Sequence, residues 1–173
     1  SIDGGDGVDH WQGDLNTEAG SITLDLNSEA IGVDIGGNNY VYGIERVTLT
    51  TGAGNDVITT FDGSATVTTA DDALDDLLTT GGGSDTVTVF GGNDSVTLGR
   101  GGLVDDDVLV IDWAHLNGAV TGGVTSYATT EAEQESYGTF ANADSNHSVA
   151  FDGAERLNIA TGGGNDVLSL GYG

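Results

Sequence analysis

A nine-residue unit recurs along this chain, and few folds can satisfy the same short unit many times over. Residues 4–12, GGDGVDHWQ, follow G-G-x-G-x-D-x-U-x (U a large apolar residue) at every fixed position. Residues 51–59 (TGAGNDVIT), 80–88 (TGGGSDTVT) and 161–169 (TGGGNDVLS) follow it with Thr in place of the first Gly. Residues 89–97 (VFGGNDSVT) continue 80–88 without a gap and keep Gly92, Asp94 and the apolar position. Residues 60–68 (TFDGSATVT) stay in phase but carry Ala65 where the Asp belongs. Gly101-Gly102 with Asp106 and Val108 reads as a degraded unit. The glycines permit tight turning. The x-U-x segments Val57-Ile58-Thr59, Thr66-Val67-Thr68, Thr86-Val87-Thr88, Ser95-Val96-Thr97 and Val167-Leu168-Ser169 read as short strands with the apolar residue facing in.

Composition decides what such strands need. The chain sets 28 carboxylates against three arginines and no lysine, for a net charge of −25, with only 37% hydrophobic residues. Low hydrophobicity with high net charge is the signature of disorder. The spaced glycines and alternating Val, Ile and Leu argue instead for a fold that forms once its acid is neutralised. That acidity disfavours nucleic acid and anionic membrane, both polyanions, and favours cations. No 18-residue apolar run offers a transmembrane helix, so no direct membrane insertion is expected. Without cysteine, no disulfide framework exists.

The units resemble the RTX, or haemolysin-type, calcium-binding repeat. The resemblance implies an all-β fold, a parallel β-roll or β-solenoid with calcium-binding Gly-Asp turns and longer inserted coils. Successive turns would lie on opposite edges, with Ca2+ between stacked turns of one edge. It implies metal ligands at Asp9, Asp56, Asp85, Asp94 and Asp166, with Asp106 from the degraded unit. Gly4, Gly5, Gly7, Gly52, Gly54, Gly81, Gly83, Gly92, Gly162 and Gly164 would complete the sites with carbonyl oxygens. Calcium accepts six to eight oxygens in loose geometry, whereas magnesium demands a tighter octahedron. Zinc spacings of His and Cys are absent. Ion-free Gly-Asp hairpin turns are the alternative reading.

A longer echo overlies the nonapeptide. Residues 51–60 and 161–170 match at six of ten positions, and Gly43-Ile44-Glu45-Arg46 matches Gly153-Ala154-Glu155-Arg156 at the same offset. Trp11 before Leu15-Asn16 resembles Trp113 before Leu116-Asn117. Two modules, 1–79 and 80–173, are expected, or one continuous solenoid. If Val47 and Leu49 face in, so does Glu45, which then needs a cation or a backbone amide. In TADDALDDLLTT (69–80), Leu74, Leu77 and Leu78 at helical spacing with Thr69 as cap allow a short helix, or the stretch is an elongated coil. Asp71, Asp72, Asp75 and Asp76 read as a solvated acidic face, with a further cation site as the alternative. Residues 117–148 read as strands with long surface loops.

Catalysis finds no constellation: His10, His115 and His147 are scattered and no G-x-S-x-G elbow exists, so no enzyme is expected. Thr-x-Thr strands resemble the flat rows of ice-binding solenoids but lack enough matching coils. Both ends fall inside a unit, which reads as a segment of a longer protein. The expected role is a calcium-binding structural module of a secreted or surface-displayed bacterial protein: an adhesin, surface layer or extracellular filament. Its partners would be calcium ions and neighbouring copies or modules. RTX proteins are typically exported unfolded by type I secretion, and low cytosolic calcium would delay folding until export. The alternative is an accessory domain of an extracellular protease, lipase or alginate epimerase.

Overall fold

The computed structural model describes residues 1–27, 33–34, 40–61, 74–99, 105–130, 133–143 and 147–172. Ala65, the 66–68 strand, Thr69, Asp71, Asp72, Gly101, Gly102 and Leu103 lie outside them. The described residues hold strands and no helix. In chain order the strands are β1 (Ile2–Asp3), β2 (His10–Asp14), β3 (Thr23–Asp25), β4 (Val33–Asp34), β5 (Tyr40–Tyr42) and β6 (Arg46–Thr50). Then follow β7 (Val57–Thr59), β8 (Leu77–Thr79), β9 (Thr86–Val89), β10 (Asn93–Thr97) and β11 (Val108–Asp112). The last are β12 (Val120–Thr130), β13 (Glu133–Asn142), β14 (Ser148–Ala154), β15 (Arg156–Ala160) and β16 (Val167–Tyr172).

The chain alternates between two sheets. One runs β16-β12-β13-β14-β10-β8-β6-β2, the other β15-β11-β9-β7-β3, and β1-β5-β4 forms a small third. From β6 to β11 every strand crosses to the opposite sheet and pairs in parallel with its predecessor there. Register aligns the inward residues: Leu49, Leu78, Val96 and Phe151 in the first sheet, Leu24, Ile58, Val87, Leu109 and Leu157 in the second. Most of these are fully buried and join Trp11 and Trp113 in one core. Both sheets run unbroken past residue 79, since β8 pairs with both β6 and β10.

Residues 69–80 take the extended option where described: Leu78 is buried in β8 and Leu77, one residue away, is exposed. In residues 117–148 the expected strands are present, but β12 and β13, the two longest among the described residues, pair antiparallel with each other in the first sheet between β14 and β16. Alternation explains it, with Val120, Val124 and Phe140 turned inward and Phe140 stacked on Phe151 at 6.2 Å. The sheet is therefore mixed.

The Glu-Arg segments of the longer echo correspond in the structure, but the tryptophans do not. Trp11 lies within β2, whereas Trp113 follows β11 and occupies the place of Leu15. In each case a carbonyl there accepts an amide three residues on, Glu18 N to Leu15 O and Leu116 N to Trp113 O, both 3.0 Å. The TGAGND turn then leads from the first sheet to the second, and the TGGGND turn from the second to the first.

Candidate functional site: two columns of buried carboxylates

Period two fixes where the aspartate of each unit must point. In x-D-x-U the Asp precedes the inward apolar residue by two positions, so it shares that residue's face. The structure shows the result. Asp56, Asp85 and Asp107 stand one above another at the start of the second sheet's strands, and Asp76 and Asp94 at the start of the first sheet's. All five are at most 3% exposed.

Each carboxylate reaches one coil along the stack. Asp56 Oδ1 accepts Ile22 N at 2.8 Å, Asp85 Oδ1 accepts Asp56 N at 2.8 Å, and Asp107 Oδ1 accepts Asp85 N at 2.7 Å. Glu155 Oε2 ends this column on Asp107 N at 2.6 Å. In the other column Asp76 Oδ1 takes Val47 N at 2.6 Å and Asp94 Oδ1 takes Asp76 N at 3.0 Å. The outer module repeats the Glu device: Glu45 Oε2 accepts Asp9 N at 2.8 Å. In both places the Glu and Arg amides share the carbonyl of that Asp. The echoed Glu-Arg segment is thus a backbone clamp, with the amide as the partner that Glu45 required.

The second oxygen of each carboxylate is the anomaly. Oδ2 of Asp9, Asp56, Asp76, Asp85, Asp94 and Asp107 is buried and accepts no hydrogen bond. Leaving such an atom unsatisfied costs about 1–3 kcal/mol, more for a charged group. Protonation equilibria record the strain. Burial pushes Asp76 up to about 7, Asp85 to about 6 and Asp107 to about 8, and holds Asp94 well above the carboxylate range. Neighbouring charges add to the rise, Asp105 beside Asp85 and Asp107 among them. The hydroxyls of Thr60 and Thr80 approach Asp76 and Asp85 and oppose it, without well-directed bonds to the inner oxygens. Asp166 is exposed, and its carboxyl is held below the usual range by the Thr161 hydroxyl and then Val120 N.

The turns that carry these residues stack backbone on backbone. A Cβ on Gly81 would collide with the Gly52 carbonyl, one on Gly83 with Gly54 and one on Gly99 with Gly81. Gly83, Gly92 and Gly164 have φ of 120°, 102° and 122°, which L side chains avoid. The 51–56 turn is thereby the direct neighbour of the 80–85 turn, although 29 residues separate Asp56 from Asp85. The tandem 80–88 and 89–97 units lie on opposite edges.

Of the sequence-derived ligands, Asp56, Asp85 and Asp94 enter the columns. Asp9 is half-buried on the Glu45 clamp, and its Gly4 packs against Gly43. Asp106 faces out and pairs with Arg156 Nε at 2.7 Å, and its neighbour Asp107 takes the column position. Asp76, read as solvated, is buried instead. Asp-x-Leu in Asp76-Leu77-Leu78 is the signal that marks it. For Asp107 the run Val108-Leu109-Val110-Ile111 conceals which face is inward.

Arg156→Ala should change stability by under about 1 kcal/mol, since its ion pair is exposed. Glu155→Ala, one residue away, should cost about 1–3 kcal/mol because Asp107 N loses its acceptor. Urea unfolding of both variants checks the contrast.

Among the described residues no three His, Cys, Asp or Glu side chains converge as a metal site. An ion here must draw mainly on carbonyl oxygens of the stacked turns, with one or two carboxylates, a donor set of hard oxygens that suits calcium. No protein-family model matches the chain, and neither a curated protein nor a solved structure matches it. The nonapeptide resemblance therefore rests on the repeat units themselves.

Proposed function

We propose that this chain is a calcium-binding structural module of a repeat protein that works outside a bacterial cell, as part of an adhesin, surface layer or filament. The observation that carries it is the pair of carboxylate columns. Buried oxygens without donors end beside turns whose backbones are packed closely enough to share carbonyls. A chain of net charge −25 sets only three arginines against 28 carboxylates, too few to balance them. Calcium at the turns would supply that balance, and the two alternating sheets would then close as a β-roll. Asp56, Asp85 and Asp94, with carbonyls of Gly52, Gly54, Gly81, Gly83 and Gly92, are the best-placed ligands. When bound, the ion supplies fixed positive charge and no reaction. The chain's own groups set the turn, present the oxygens and exclude water.

Because the columns would carry uncompensated charge without the ion, folding would follow extracellular calcium, which suits export of an unfolded chain. No helix among the described residues is long and apolar enough to cross a membrane. Native mass spectrometry of the intact chain, in calcium and after chelation, tests the reading. Several bound calcium ions are expected, with loss of ions and of compactness together on chelation. A chain that is compact near pH 8 and binds none would end it. An accessory role beside an extracellular enzyme uses the same sites and differs only in what the module is joined to.

A further inference from the structure

The turns differ in what faces the aspartate from across the loop. Thr161 donates its hydroxyl to Asp166 Oδ2 at 2.6 Å. Thr51, Thr60 and Thr80 hold the same first position of their units and are buried. Register extends the comparison to turns that lack Thr. Thr60 N bonds to Thr88 O, which sets Val89 beside Thr60, while Asp76 N bonds to Asp94 Oδ1. The Val89/Asp94 pair therefore lies on the Thr60/Asp76 pair. On the opposite edge Thr80 N bonds to Thr97 O and Asp85 N to Asp107 Oδ1, so Leu98/Asp107 lies on Thr80/Asp85. In the outermost coil Leu15 aligns with Thr51, and Ile22 occupies the column place of Asp56. Three pairings result: hydroxyl with carboxylate, apolar with carboxylate, and apolar with apolar.

We propose, resting on the calcium reading above, that the first residue of each turn decides whether its aspartate depends on the ion. Thr60, Thr80 and Thr161 are positioning residues, each placing a hydroxyl toward the carboxylate that follows it, Asp76, Asp85 and Asp166. In the Val89 and Leu98 turns Oδ1 of Asp94 and Asp107 accepts a backbone amide, and only the cation would compensate Oδ2. The chemistry is direct. A hydroxyl offers one proton and two acceptor sites. Thr80 Oγ1 accepts Gly99 N at 3.2 Å, which leaves its proton to aim at the carboxylate. An O–H···O⁻ bond is short and strong, whereas Val and Leu leave a buried charge uncompensated. Loss of the Thr therefore transfers the demand to calcium. The fully apolar Leu15/Ile22 pair fits the same rule, since without the carboxylate no hydroxyl is needed.

The test uses the full chain with Val89→Thr, Leu98→Thr and Thr60→Val, read by native mass spectrometry and circular dichroism at limiting and at saturating calcium. At limiting calcium Val89→Thr and Leu98→Thr should each raise the folded-to-unfolded ratio about tenfold, and Thr60→Val should lower it by a similar factor. The two gain variants should also stay folded with one ion fewer than the parent chain. At saturating calcium the differences should largely disappear. Equal effects at both calcium levels would overturn the proposal, because Thr would then act through packing alone. So would gain variants that match the parent at limiting calcium. A parent chain that folds near pH 8 with no bound calcium overturns the calcium reading itself, a failure visible as zero ions before any variant is compared.

Discussion

Stripped of metal by a chelator, the chain should be unfolded near pH 8 and should fold as the pH is lowered toward about 5. The raised carboxyls dictate the direction. Asp107 at about 8, Asp76 at about 7 and Asp85 at about 6 all hold protons more tightly folded than unfolded, where the value is 3.8. Stability from such groups is complete below the unfolded value and is lost as pH rises through about 6 to 8. Each pKa unit corresponds to about 1.4 kcal/mol. The three groups act in the same direction, against a domain stability of roughly 5–15 kcal/mol. Calcium should invert the slope, because protons then compete with the ion for the same oxygens. Far-UV circular dichroism across this pH range with chelator, and urea midpoints with calcium, read both arms. A chelated chain more stable at pH 8 than at pH 5 would contradict the burial of ionised columns.

At Asp76 the charge and the hydrogen bond can be separated. Asp76→Asn keeps an oxygen for Val47 N but removes the buried charge. In chelator near pH 8 it should be more stable than the parent by several kcal/mol, the scale set by a shift from 3.8 to about 7. Its slope against pH should flatten at the same time. Asp76→Ala removes the charge and the acceptor together. It should fall below Asp76→Asn by about 1–3 kcal/mol, the cost of stranding a buried amide. Denaturant unfolding of the two variants side by side decides it. Equal stabilities would mean that the column hydrogen bond carries no weight.

Much of this architecture was legible in residue spacing. Gly-x-Gly-x-Asp-x-U marks a turn and a strand, and β7, β9, β10 and β16 appear where those units lie; the apolar residue is buried at Ile58, Val87 and Val96, but Leu168 of β16 is exposed, against expectation. The inward Asp follows from the same parity, yet a motif associated with metal ligation draws attention to the turn and away from the core. Asp76 and Asp107 were obscured for local reasons. Asp75-Asp76-Leu77-Leu78 offers two registers one residue apart, and Val108-Leu109-Val110-Ile111 is apolar on both faces. Only pairing with Asp94 and Asp85 selects between them. The stacking of the 51–56 and 80–85 turns was hidden by the long segment after Thr60, which makes sequence distance a poor guide to coil number. The β12–β13 hairpin has no nonapeptide at all, and its place is set by Phe140 finding Phe151. Glu45 and Glu155 were readable as needing partners, but the amides that satisfy them belong to Asp9 and Asp107, far off in sequence.

Far-UV circular dichroism of the chelated chain near neutral pH, titrated with calcium and in parallel with magnesium, tests the central claim most directly. A cooperative transition from coil to β is expected with calcium and none with magnesium at the same concentration. A β spectrum that chelation leaves unchanged, with no metal detected by mass spectrometry, would contradict it.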